Sequence, residues 1–122
     1  MVQEIPFKAV FYDKPDGTEP AKMFLDDLDA KMFAKMIRAI EMLKVGGTAV
    51  RAPYSKHLND GIFEVRAQIG SYISRVLYFF FTGQRFVLTH GFIKKTRKTT
   101  PDEIERAKKY RTEYLSREEN QK

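Results

Sequence analysis

Arg66, Arg75, His90, Lys94 and Lys95 are the side chains of this 122-residue sequence whose types and spacing could do chemistry together. A guanidinium grips two oxygens of one phosphate and stays charged through the working pH range. An imidazole titrates near neutrality and can take or give a proton, and a lysine can do so where neighbouring cations depress its pKa. Together these are the parts that metal-free cleavage of RNA requires. A base removes the 2′-hydroxyl proton, cations stabilise a phosphorane-like transition state, and an acid protonates the departing 5′-oxygen. His90 also reads as an ordinary hydrogen-bonded strand residue, and His57 is a weaker candidate. Other chemistries find less support. There is no cysteine for a thiolate nucleophile or zinc ligand, and the two histidines are far apart in the sequence. Gly46-Gly47 lacks the Lys-Ser/Thr of a phosphate-cradling loop, and no serine is arranged as a nucleophile. No metal and no cofactor are expected.

The charge distribution points the same way. The net charge of +6 is confined to the middle of the chain, where residues 51–100 hold nine Lys/Arg against two Asp/Glu. A local basic field is the electrostatic footprint of a phosphate-bearing partner, although a solvated basic surface has the same composition. One domain over residues 1–122 is expected at this length, with a frayed tail at 117–122. The absence of cysteine and of any long apolar run predicts a soluble, cytoplasmic protein that does not enter a membrane.

The elements that must position the five residues follow from pattern. Residues 4–12 (EIPFKAVFY) read as a strand, closed by the turn residues DKPDG. Thr18 can cap a first helix with Glu19 and Pro20 in its first turn, and Asp29 can open a second. Met32, Phe33, Met36, Ile37, Ile40 and Leu43 then recur at helical spacing until Gly46-Gly47. Asp26, Asp27 and Asp29 fall at the helix junction, where capping and solvation account for them. A polar loop around RAPYSKHLNDG precedes three strands, 62–69, 72–81 and 85–93, and Pro101 opens a last helix. The expected fold is therefore α+β, an antiparallel sheet in the order β-α-α-β-β-β-α. The helical hairpin should pack on one face, with the C-terminal helix available for the other.

Gly70-Ser71 and Gly83-Gln84 each suit a two-residue type II′ hairpin turn, which would fix the register. Arg66 then faces Arg75, Arg75 faces Phe92, and Thr82 faces Arg85. One sheet face collects Glu64, Arg66, Arg75, His90, Phe92 and Lys94 beside Ile73, Leu77, Phe79, Phe81, Phe86 and Leu88. The other collects Phe63, Val65, Ala67, Val76, Tyr78, Phe80, Val87 and Ile93. Two arginines directly opposed destabilise a sheet by up to about 1 kcal/mol unless something compensates, and Glu64 is the available carboxylate. Phe92 and Lys56, with Arg97 and Lys98 beyond the last strand, are the expected substrate-binding residues.

Over residues 56–115 the sequence resembles the phage-derived branch of the HigB toxins in the RelE/ParE superfamily. The matching residues are Leu58 and Gly61 before Glu64-Val65-Arg66, Arg75 with Tyr78 three later, and His90-Gly91-Phe92. Lys94-Lys95-Thr96 and the Pro101, Glu103, Ile104, Ala107 pattern also match. The resemblance implies a RelE-like fold and the toxin of a type II toxin-antitoxin pair, a metal-independent endoribonuclease cutting mRNA in the ribosomal A site. It also implies a helix-turn-helix, HigA-like antitoxin encoded nearby. Carried over by position, Arg66 and Arg75 match basic strand positions of RelE-like active sites, and Lys94 and Lys95 match basic residues at the end of the last strand. Glu64 departs from RelE, which has lysine there. Two alternatives stay open: a ParE-like poison of DNA gyrase on the same fold, and a non-enzymatic nucleic-acid-binding module.

Overall fold

The computed structural model describes residues 6–82, 84–96 and 98–120. In chain order these form β1 (Lys8–Phe11), α1 (Pro20–Asp26), α2 (Ala30–Gly46), β2 (Ser55–Asn59), β3 (Ile62–Ile69), β4 (Tyr72–Phe81), β5 (Arg85–Lys94) and α3 (Pro101–Asn120). The class is α+β, as expected, but the sheet is mixed and five-stranded, in the order β1-β5-β4-β3-β2. Two features correct the expected antiparallel arrangement. β1 runs parallel to β5, and β2 forms within the segment expected to be a polar loop. The signal for β2 lies in Asp60-Gly61. Both residues take positive φ (49° and 78°), as a type I′ turn requires, and Asn59 pairs with Ile62 across it. Arg111 of α3 secures the turn with hydrogen bonds of 2.5 Å to the Asp60 carbonyl and 3.0 Å to its carboxylate.

Helix starts follow the local chemistry with one exception. The Asp29 carboxylate accepts from the Met32 amide at 2.9 Å and caps α2, while α1 starts one residue later than anticipated, with Glu19 at the cap position and Pro20 in the first turn. Thr18 instead bonds back to Asp16. The methionine stripe of α2 is core: Met32, Met36, Ile40 and Leu43 are buried against Val65, Val76 and Tyr78, on the sheet face opposite Glu64 and Arg66. α3 covers the second face with Ile104, Ala107, Tyr110 and Tyr114 over Leu77, Phe79 and Val87. Helical structure continues to Asn120, where a frayed tail was anticipated. Arg117 ties it to the end of β1 through the Asp13 carbonyl at 2.5 Å, and the Tyr12 ring stacks on Tyr110 at 4.8 Å. No described helix is long and apolar enough to cross a membrane.

The β3–β4 register is the expected one, from Ile69 opposite Tyr72 to Arg66 opposite Arg75, with positive φ at Gly70 alone of the two turn residues. The β4–β5 register differs near its turn. Phe81, and not Thr82, faces Arg85, and Gln84 takes a left-handed φ of 59°, as the last residue of a three-residue connection does. Every pair from there to Tyr78–Leu88 is displaced by one, which turns Phe86 and Leu88 toward the helical hairpin and Val87 toward α3, the reverse of the expected assignment. A β-bulge at Thr89 then absorbs the extra residue. Leu77–His90 and Arg75–Phe92 return to the anticipated register, so the basic residues beyond the bulge are correctly placed.

Candidate nucleic-acid interface

Three rows cross the α3 face of the sheet at its β3–β5 end. Glu64, Leu77 and His90 form the first, Arg66, Arg75 and Phe92 the second, and Gln68, Ile73 and Lys94 the third. On the outer side of the first row, Lys56 of β2 pairs with Glu64 and is exposed. The opposition of two arginines is resolved by one carboxylate. Glu64 is only 1% exposed, and its oxygens lie 3.2 Å from Arg66 Nε and 3.5 Å from Arg75 Nε. Thr99 donates its hydroxyl to the same carboxylate, which ties the segment after β5 to the sheet.

The two arginines have different surroundings. Arg75 is fully buried, and its Nη2 donates to the Thr96 carbonyl, so it braces the basic segment from below. Burial pushes its pKa below the usual guanidinium value, opposed by the Glu64 carboxylate and assisted by the Arg66 charge. Arg66 keeps 22% of its side chain in solvent and is the arginine that a ligand can touch.

His90 is buried apart from the arginines, with Leu77 between it and Glu64. Its Nε2 lies 3.2 Å from Glu103 Oε1 of α3 and its Nδ1 lies 3.1 Å from Thr89 Oγ1. Burial holds its pKa down, while Glu103 pulls it upward and Arg106 lowers it further. Glu103 also receives Lys94 at 3.9 Å and Arg106 at 3.7 Å, making it a second shared carboxylate. Lys94 leans over the Phe92 ring, 5.2 Å from its centroid, and Lys95 over Tyr72 at 5.1 Å. Lys95 and Lys98 are exposed, whereas Arg97 lies outside the described residues. Among the described residues no three His, Asp or Glu converge as metal ligands do.

Tyr78, three residues after Arg75, projects to the opposite face, as an odd spacing in a strand dictates. It is core, bonded to Ser55 at 2.5 Å, with its hydroxyl pushed up to about 12 by burial. Sequence reasoning missed Glu103 and Thr96 as partners of the basic residues and Thr99 as a partner of Glu64. Glu103 had a legible signal, since a carboxylate in the first turn of a helix following the strand is within reach of that strand's end.

The fold and the site define a small α+β domain that exposes a cationic sheet end braced by two buried carboxylates. A family model described as phage derived protein Gp49-like (DUF891) matches residues 23–112. The chain belongs to that family, which is of the RelE/HigB-like toxin kind. No curated protein matches it.

Proposed function

We propose that this protein is the toxin of a type II toxin-antitoxin pair, a HigB-like member with a RelE-like fold that cuts mRNA on the ribosome. The observation that carries the reading is the cationic end of the β3–β5 sheet, where Arg66 shares Glu64 with Arg75, Lys94 lies beside Phe92 in the adjoining row, and Lys95 and Lys98 are exposed in the segment that follows. One carboxylate facing two guanidiniums leaves positive charge at the surface for a phosphate. Arg66 holds the scissile phosphate and Lys94 or Lys95 handles the protons. Phe92, Lys56, Lys98 and Arg97 contact the substrate strand. Arg75 and His90 act as positioning residues, Arg75 through Thr96 and His90 through Glu103. A metal-free site of this kind suits a substrate that rRNA already orients, because the toxin then needs to supply only charge and proton transfer. The reading places the protein in the cytoplasm, with a helix-turn-helix antitoxin as its partner.

Brief induction in bacteria without antitoxin, followed by mapping of mRNA 5′ ends, tests it. The control is Arg66→Ala/Lys95→Ala, which spares the buried Arg75. Expected are cuts confined to translated frames and absent in the control. Growth arrest without new cuts would overturn the reading in favour of a gyrase-type target, and no effect at all would favour a binding module.

A further inference from the structure

Arg66 also lines a groove of about 930 Å³ that leaves the proposed active face and passes around the β3 edge to α2. β2 stops pairing at Ser55–Val65, so beyond that point the outer edge of β3 has no strand among the described residues, and the groove follows that uncovered edge. Its α2 wall carries Lys31, Lys35 and Arg38, all exposed. Positions 31, 35 and 38 fall on one helical face, where like charges three and four residues apart weaken a helix by tenths of a kcal/mol each. Among the described residues none of the three makes an ion pair, although the fold forms such pairs elsewhere, as with Lys22–Asp26 on α1 and Lys44–Glu41 on α2 itself. Lys35 donates only to the Gln68 carbonyl at 2.8 Å, which draws its ammonium onto the β3 edge. Tyr54 forms part of the same groove beside Arg66, whose amide donates to the Tyr54 carbonyl at 2.8 Å, and the residue is 41% exposed. Among the described residues no carboxylate lines the groove.

We propose that this groove is a binding track for single-stranded RNA, in which Lys31, Lys35 and Arg38 grip successive phosphates of the strand leaving Arg66 and Tyr54 stacks on an unpaired base. The assignment rests on the reading of the protein as a ribonuclease. A row of unneutralised cations joined to an exposed aromatic ring is the combination that binds a single strand without sequence preference. A duplex would offer phosphates and no free base face for Tyr54.

The test uses the full chain and a fluorescent, 2′-O-methyl oligoribonucleotide, which binds and cannot be cleaved. Anisotropy titrations at several salt concentrations compare the parent with Lys31→Gln/Lys35→Gln/Arg38→Gln and with Tyr54→Ala, each checked for folding by circular dichroism. Three lost phosphate contacts should flatten the slope of log affinity against log salt by about 2. Tyr54→Ala should weaken binding roughly tenfold and leave the slope unchanged. An unchanged slope in the triple variant would overturn the track even if the parent still cleaves mRNA. Preference for duplex over single strand would overturn the single-strand assignment, and loss of binding to an acidic peptide alone would give the groove to a protein partner. RNA binding that depends on the track in a parent that never cuts mRNA would leave the track standing and remove the catalytic reading.

Discussion

Replacing Glu64 with Gln isolates what the buried carboxylate does, because the side chain keeps its shape and an oxygen for the Thr99 hydroxyl while losing its charge. Arg75 is then a fully buried guanidinium with the Thr96 carbonyl as its remaining hydrogen-bond acceptor, and Arg66 loses its carboxylate at 3.2 Å. Stranding a buried charge costs about 3–5 kcal/mol. For a domain of this size that corresponds to a fall in Tm of roughly 10–20 °C. Arg75→Met should cost less, about 1–3 kcal/mol, since Glu64 keeps both Arg66 and Thr99. In the Arg75→Met background, Glu64→Gln removes a pair whose arginine can turn to water, a further loss of about 1 kcal/mol. The double-mutant cycle, measured by urea unfolding, should therefore give a coupling of about 2–4 kcal/mol. A Glu64→Gln variant losing less than about 1 kcal/mol, or a cycle that is simply additive, would refute the view that one carboxylate holds the paired arginines together.

Two further perturbations test other parts of the structure. Burial holds the folded-state pKa of His90 below the ordinary imidazole value of 6.5, so below that pH the unfolded chain takes up a proton that the native chain resists. Stability should fall as pH drops from 6.5 toward the folded pKa, and His90→Gln should flatten that part of the curve; a parent and variant with the same pH profile in urea melts would contradict the buried, neutral imidazole. Gly91 faces α1 so closely that an added Cβ would lie 2.3 Å from Phe24 Cδ2. Gly91→Ala should cost about 1–3 kcal/mol through displacement of that ring, and a urea midpoint equal to the parent's would show that the contact is not tight.

The parts of the fold legible in the sequence were those set by local pattern. Gly70-Ser71 fixed one hairpin, and with it the meeting of Arg66 and Arg75; Asp29 fixed the start of α2; the 3, 4 spacing of its apolar residues fixed which side became core. Misreading began where local signals conflicted or were passed over. Gly83-Gln84 resembles a two-residue turn, yet β4 and β5 close one residue earlier, and the β-bulge at Thr89 that restores the register has no counterpart in apolar alternation. Asp60-Gly61 did carry a hairpin signal, masked by the polar residues of β2, an edge strand that is largely exposed and so lacks the apolar alternation of a buried one. The parallel pairing of β1 with β5 joins residues distant in sequence, and no local pattern encodes it.

The candidate site was legible as a set of residue types and not as a division of roles. Spacing placed Arg66, Arg75, His90 and Lys94 on one face, and all four are there, but face alone says nothing of depth. Depth is set by α3 and the segment leading into it, which cover His90 through Glu103 and draw Glu64 in through Thr99. The consequence is an asymmetry between residues that look equivalent in the sequence. Arg75, in the central strand, is sealed beneath Thr96, while Arg66, one strand nearer the edge, reaches solvent and the groove beyond. A central arginine that cannot leave its carboxylate and an outer one that can still turn outward form a fixed anchor beside an adaptable contact. In such a site, truncating Arg75 should act first through folding and truncating Arg66 first through binding. Stability and RNA affinity measured on the same two variants therefore separate the structural arginine from the functional one.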